Sequence, residues 1–200
     1  MKQSNIKIAV TGGIGSGKST VCNIIKANGY PVFSCDDIYA ELLNGGKLIN
    51  EIVKEFGCGV LSSDGGIDRK KLSACVFNDK RKLALLNRIT HSAIFEEMFL
   101  RAENVGGIVF FEVPLLFEGG YQNLFDGVIV ILREVKDRIL SVSKRDNSSV
   151  EDVKIRIKSQ LDYDNNDFAQ YYVIHNSGKI DNLSDITCKI LLKIAKDFKL

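Results

Sequence analysis

Several things are scarce in this chain of 200 residues, and each scarcity closes a class of function. The longest stretch without a formal charge, residues 168–178, falls well short of the roughly eighteen apolar residues of a membrane span, so no membrane role is expected. The opening Met1-Lys2-Gln3-Ser4-Asn5 leads straight into a short apolar strand, without the apolar core of a signal peptide. Histidine occurs only at His91 and His175, and the five cysteines (Cys22, Cys35, Cys58, Cys75 and Cys188) contain no Cys-x-x-Cys pair. Zinc and structural disulfides are therefore not expected, and the thiols read as small, mostly buried side chains in a reducing cytoplasm. Two prolines and no Gly/Pro-rich tract leave no candidate linker. A formal net charge of +2 lacks the excess of cations on which many nucleic-acid binders rely, so no nucleic-acid partner is expected.

What is present is ordinary globular material, 45% hydrophobic and 26% charged. Short β-branched and aromatic runs fall at residues 8–11, 31–34, 108–113, 127–132 and 172–175, separated by helical patterns. Continuous rather than alternating apolar strands suit a parallel sheet covered on both faces. About seventy residues separate the second run from the third, far more than one crossover helix needs. That interval reads as several helices: one capped by Asp68, one marked by Leu83 and Leu86, and one carrying Ile94 with Met98 and Phe95 with Phe99. A second excursion, residues 135–167, carries a capping-box pattern, Ser148-Ser149-Val150-Glu151, ahead of Val153, Ile157 and Leu161. It reads as polar, with few apolar anchors. The expected organisation is one domain over residues 1–200, with a helical insertion at 38–105 and a lid at 135–167.

The strongest local signal is Gly12-Gly13-Ile14-Gly15-Ser16-Gly17-Lys18-Ser19-Thr20, a G-x-x-x-x-G-K-S loop between a strand and a helix expected at residues 19–27. Its glycines let successive N–H groups turn toward phosphate oxygens, and the helix start adds partial positive charge. Lys18 is expected to reach the β- and γ-phosphates of ATP, and the Ser19 hydroxyl to ligate Mg²⁺. A dinucleotide-binding G-x-G-x-x-G fails, because Lys18 takes the third glycine position. A guanine-reading Asn-Lys-x-Asp is missing, and no acidic pair follows residues 129–132, so a GTPase switch and a motor ATPase fit less well than a small-molecule kinase.

A kinase of this kind needs a base near the acceptor hydroxyl and cations near the transferring group. Asp36 and Asp37 follow the second strand directly, at the end where open α/β sheets place their sites. Asp36 fits either a general base or the N-cap of a helix carrying Ile38 and Leu42. Glu112, near the end of the third strand, fits either a partner of the Mg²⁺ water network or a salt-bridged strand-end acid. Arg138, Lys144, Arg145, Lys154, Arg156 and Lys158 form a basic cluster, most of it a solvated helix face with one or two arginines available to a closing lid.

At this point the residues resemble the dephospho-coenzyme A kinase family. The resemblance begins with residues 11–20 and continues through Phe56-Gly57, Gly66-Ile67-Asp68-Arg69-x-x-Leu72, Val76-Phe77 and Leu86-Asn87-x-Ile89-x-His91. It runs on through residues 114–118, Arg145-Asp146, Arg156-Ile157-x-x-Gln160 and Val173-Ile174-x-Asn176, in order over nearly the whole chain. It implies a P-loop NTPase fold of the nucleotide-kinase type, a three-layer α/β/α core with a parallel five-stranded sheet. The implied activity is transfer of the ATP γ-phosphate to the ribose 3′-hydroxyl of dephospho-coenzyme A. Separately from the resemblance, a monomer or weak homo-oligomer is expected. The family's catalytic base falls on Asp36, and Arg145 falls in its lid with Gln160. Arg69, His91 and Glu112 fall on the acceptor side, and Asn176 beside the nucleotide base. The chain departs from the family at Ser34 and Glu112, each replacing Asp, and at Ser92, replacing the proline after His91. It departs again at Ser141, in place of a lid arginine, and at Gln170-Tyr171. Arg138 stands close enough to substitute for that arginine.

Overall fold

In a computed structural model, residues 5–44, 46–77 and 79–199 are described. Strands β1 (Ile6–Thr11), β2 (Val32–Ser34), β3 (Ile108–Glu112), β4 (Gly127–Leu132) and β5 (Tyr172–His175) form one sheet in the order β2-β3-β1-β4-β5. The β1–β3, β1–β4 and β4–β5 pairs are parallel, with Ile8 opposite Phe110 and Val10 opposite Ile129. The expected α/β class holds, and the strand runs shift by at most two residues.

Helices α1 (Lys18–Ala27) and α8 (Ile180–Asp197) cover one sheet face. Val21 and Ile25 of α1, with Leu183, Leu191 and Ile194 of α8, meet Ile8, Val10, Phe110, Ile129 and Ile131. On the alternate face, Phe111 packs against Phe33 at 5.9 Å and Phe125 at 5.6 Å between ring centres. Both faces are therefore apolar, which is why the strands do not alternate.

The chain divides into two compact units, residues 1–33 with 105–200 and residues 34–104. The second unit contains α2 (Cys35–Asn44), α3 (Gly46–Phe56), α4 (Arg69–Val76) and α5 (Lys80–Ala102). Leu43, Leu48, Ile52, Val60, Leu72 and Val76 make its core. Asp68 caps α4 as expected, its carboxylate accepting from the N–H groups of Lys70 and Lys71 at 2.9 and 3.1 Å. Where two helices were expected, α5 is a single helix of 23 residues. Neither Gly nor Pro lies between Lys80 and Ala102, and Ser92 keeps the backbone donor that a proline would lose.

Three other expectations change. The helix after residue 147, α7 (Val150–Lys158), is capped by Ser149 with Asp152 rather than by Ser148 with Glu151, and ends before Leu161. Residues 135–167 are well anchored: Val142, Val153 and Tyr163 are buried, as is Arg138, on α6 (Val135–Asp146). Of the five thiols only Cys22 is buried, and Cys58 is exposed. No described helix is long and apolar enough to cross a membrane.

Candidate active site

The Gly-rich segment leaves β1 at its carboxyl end and enters α1 through Gly17, whose φ of 99° is a left-handed conformation that glycine adopts without strain. Close packing also excludes side chains along the loop. A Cβ on Gly12 would lie 2.5 Å from the Ile131 carbonyl oxygen, and one on Gly17 would lie 2.5 Å from Asn176 Nδ2. As N-cap, Gly17 has no side chain to cap the first turn of α1, and a helix start of this kind favours an anion.

The loop carbonyls face side-chain donors. Lys18 Nζ donates to the carbonyls of Gly12 and Gly13 at 2.8 and 3.2 Å. Arg138 Nε donates to Ile14 at 3.0 Å, Arg133 Nη1 to Gly15 at 3.2 Å, and Asn176 Nδ2 to Ser16 at 2.8 Å. On the donor side, Gln160 Oε1 accepts from the Ile14 N–H at 2.7 Å. Ser16 Oγ, Arg133 Nε and Arg138 Nη2 are buried without a hydrogen-bond partner. Buried polar atoms left in this state mark places where a polar ligand or its waters belong.

Ser19, in the first turn of α1, donates its hydroxyl to Glu112 Oε1 at 2.8 Å. Among the described residues, no three Asp, Glu, His or Cys side chains gather as a metal cage. One hydroxyl beside one carboxylate instead fits Mg²⁺, which keeps several waters and takes its remaining oxygens from substrate phosphates. Beside the loop, a cavity of about 360 Å³ is lined by Leu132, Arg133, Glu134, Tyr163, Asp164 and Asn176, among others.

The expected site residues fall into three groups. Gly12 through Thr20, Glu112 and Asn176 come together at the carboxyl end of the sheet. Asn176 holds the loop itself through the Ser16 carbonyl. Arg145 lies on the exposed side of α6 with its guanidinium on Asp146, at 2.6 Å from Nε, and Arg156 reaches the same carboxylate at 2.8 Å. Those two arginines hold the Asp146 carboxyl well below the usual carboxylate range. Arg138, a candidate for a mobile lid, is instead buried against the loop, 2% exposed, with Asp164 at 3.7 Å from Nη1. His175 ends β5, as the strand run 172–175 implies, and is exposed.

Asp36, Arg69 and His91 belong to the second unit. Asp36 is exposed inside the first turn of α2, so the N-cap reading fails. The cap is Ser34, whose Oγ accepts from the Asp37 N–H at 3.3 Å. The Arg69 guanidinium sits 6.0 Å from the Tyr39 ring centre. It lines a shallow groove of about 620 Å³ with Lys70, Ser73, Ala74 and a Phe77 that is 79% exposed. Half-buried His91 lies on α5, and desolvation pulls its imidazole below the ordinary value.

Arg133 was not among the residues expected here. It follows β4 directly, and a cation just past the strand that neighbours β1 is the available sequence signal for it.

Known proteins resemble this chain over most of its length. The family model described as dephospho-CoA kinase matches residues 6–182. A dephospho-CoA kinase of Bacillus anthracis is 38% identical over 181 residues, covering 88% of this chain and 90% of that protein. A solved dephospho-CoA kinase from Campylobacter jejuni superposes with a TM-score of 0.66 at 30% identity, covering 97% of this chain and 99% of its own. A Thermus thermophilus crystal structure gives a TM-score of 0.82 at 28% identity, covering 96% and 98%. With a family model spanning most of its length and relatives above 30% identity over nearly all of it, the chain belongs to the dephospho-CoA kinase family.

Proposed function

We propose that the chain transfers the γ-phosphoryl group of ATP to the 3′-hydroxyl of the ribose of dephospho-coenzyme A, giving coenzyme A and ADP. The observation that carries this reading is the glycine loop with Lys18 at its end and the Ser19–Glu112 pair beside it, in a chain of that family. The loop amides and Lys18 hold the β- and γ-phosphates, Lys18 leaving the Gly12 and Gly13 carbonyls for the more strongly charged partner. Mg²⁺ would be held through the Ser19 hydroxyl, oriented by Glu112, and would supply positive charge to offset that of the phosphates. The cavity beside Arg133 and Asn176 takes the base.

Asp36 accepts the proton of the 3′-hydroxyl as that oxygen bonds to the γ-phosphorus. The bond from the γ-phosphorus to the β–γ bridging oxygen breaks, and ADP departs with the electron pair. Residues 38–105 hold the acceptor, with Arg69, Lys70 and exposed Phe77 suited to a pyrophosphate and an aromatic base, and His91 shaping the acceptor side. Residues 135–167 serve as the lid. Arg145 reaches the transferring group only by leaving Asp146.

ADP release from MgATP, measured with dephospho-coenzyme A, with nucleosides and without acceptor, tests the reading. Stimulation by dephospho-coenzyme A alone is expected, and equal turnover on nucleosides would overturn it. A folded Lys18→Ala protein should lose turnover.

A further inference from the structure

The carbonyls of Gly12, Gly13, Ile14, Gly15 and Ser16 all receive a side-chain N–H donor. A peptide whose carbonyl is tied on one side points its neighbouring amide to the other, and an anion cradle depends on successive amides converging. Lys18 is needed by the phosphates, and Asn176 comes from the end of β5. The remaining donors are Arg133, just after β4, and Arg138, in α6, which hold the adjacent carbonyls of Gly15 and Ile14.

We infer that Arg133 and Arg138 are positioning residues, which fix the phosphate loop in its anion-binding conformation by holding the Gly15 and Ile14 carbonyls outward. This rests on the phosphate-binding reading given above. Arg138 is suited to the task by its surroundings. It is 2% exposed, its fork is steered by Asp164, and its guanidinium lies over Gly13, where a Cβ would have to displace it. Gly15 is equally confined: a Cβ there would lie 2.8 Å from both the Arg138 carbonyl oxygen and Val142 Cγ2. Burial lowers the pKa of the guanidinium, and the Asp164 carboxylate opposes that shift. A buried cation bonded to backbone, with its second terminal nitrogen unpartnered, costs stability that a surface arginine would not. Arg133 is half-buried and makes the same kind of contact one carbonyl further on.

The distinction from a phosphate-binding arginine lies in direction. A positioning arginine acts through hydrogen-bond geometry, which lysine reproduces poorly; a charge acting on phosphate survives the change to lysine in large part. Its contribution is made before any substrate arrives, so it supports ground state and transition state alike and should show in KM more than in kcat.

The test uses inorganic tripolyphosphate with Mg²⁺ as the probe of the cradle, read by calorimetry on wild type and on Arg133→Met, Arg138→Met and Arg138→Lys. Wild type should bind; if it does not, the phosphate-loop reading falls and this inference with it. Losing a hydrogen bond from a charged donor should weaken tripolyphosphate binding by about ten- to a hundredfold in Arg138→Met. Arg133→Met should weaken it in the same direction, and Arg138→Lys should recover little. KM for ATP should rise with kcat changed much less. Amides of residues 14–17 should exchange faster in the ligand-free variants. Should Arg138→Met fail to fold, Arg133→Met carries the test alone. Binding within twofold of wild type in the folded variants, or full recovery by Arg138→Lys, overturns the inference while leaving the kinase reading intact.

Discussion

The Ser19 hydroxyl donates to Glu112 Oε1 across 2.8 Å, joining the first turn of α1 to the carboxyl end of β3. Because β3 lies beside β1 in the sheet, this bond spans the base of the phosphate loop. The same carboxylate bears on Cys22, whose thiol is pushed far above its ordinary range by burial first and by Glu112 second. Cys22 therefore stays protonated and inert. With its proton committed to Glu112, the Ser19 oxygen presents lone pairs to a cation.

From this follows the first expectation. Glu112→Gln should raise the Mg²⁺ concentration for half-maximal turnover by about ten- to a hundredfold, the usual range for a partner that orients a metal ligand. Ser19→Ala should do at least as much. Glu112→Asp restores the charge but not the reach, so intermediate behaviour is expected. A Mg²⁺ titration identical to wild type in Glu112→Gln would remove Glu112 from this role.

The second concerns the expected lid. Residues 135–167 are not uniformly loose, because α6 is seated on the loop by Val142 and Arg138. Asn147, with a left-handed φ of 50°, ends α6 and is the natural hinge. Within residues 135–167, nucleotide-dependent hydrogen exchange should therefore be confined to those after 147, with the amides around Val142 protected throughout. Changes across α6 as large as those in α7 would reject a hinge at Asn147.

How much of this was legible in sequence depended on distance along the chain. The loop from Gly12 to Thr20 and the Asp68 cap are local patterns, each fixed by a few adjacent residues, and both were found. The Asp36 cap reading failed because β2 passes into α2 without a gap, so that Ser34 does the capping. Arg133 and Arg138 lie 118 and 124 residues from the carbonyls they hold, a pairing that periodicity cannot register. The expected looseness of 135–167 came from counting charges, yet Arg138 is among the most buried side chains of the protein. Charge pattern alone does not tell a solvated arginine from one enclosed by backbone acceptors.

A third expectation is a pH dependence of stability in the second unit. Desolvation holds His91 below the ordinary value near 6.5, so its folded form favours the neutral imidazole. As pH falls through about 6.5, the unfolded chain takes up the proton first, and stability is lost until the folded pKa is passed. Above that window the contribution is constant. His91→Gln cannot titrate, so its urea midpoint should vary less between pH 7.5 and 5 than that of wild type. Parallel midpoint curves for the two proteins would show that His91 does not titrate differently on folding.

The last concerns Asp36 and separates chemistry from folding. Asp36 is exposed in the first turn of α2, and Ser34 supplies the cap, so removing its charge leaves the cap bond in place. A negative side chain near a helix start is worth about 0.3–1 kcal/mol, which bounds the stability loss of Asp36→Asn. Loss of a general base costs roughly 10²- to 10⁴-fold in rate. The expected result is a fall in kcat of that size with ATP affinity nearly unchanged, since proton acceptance matters mainly as the acceptor oxygen bonds to phosphorus. Asp37→Asn is the control: it sits in the same helical turn, is equally exposed and contributes the same dipole term, but is not the carboxylate proposed as the base. A crippled Asp37→Asn beside an active Asp36→Asn would move the base by one residue. If both variants turn over normally, neither carboxylate accepts the proton, and positioning by the loop with Mg²⁺ must account for the rate.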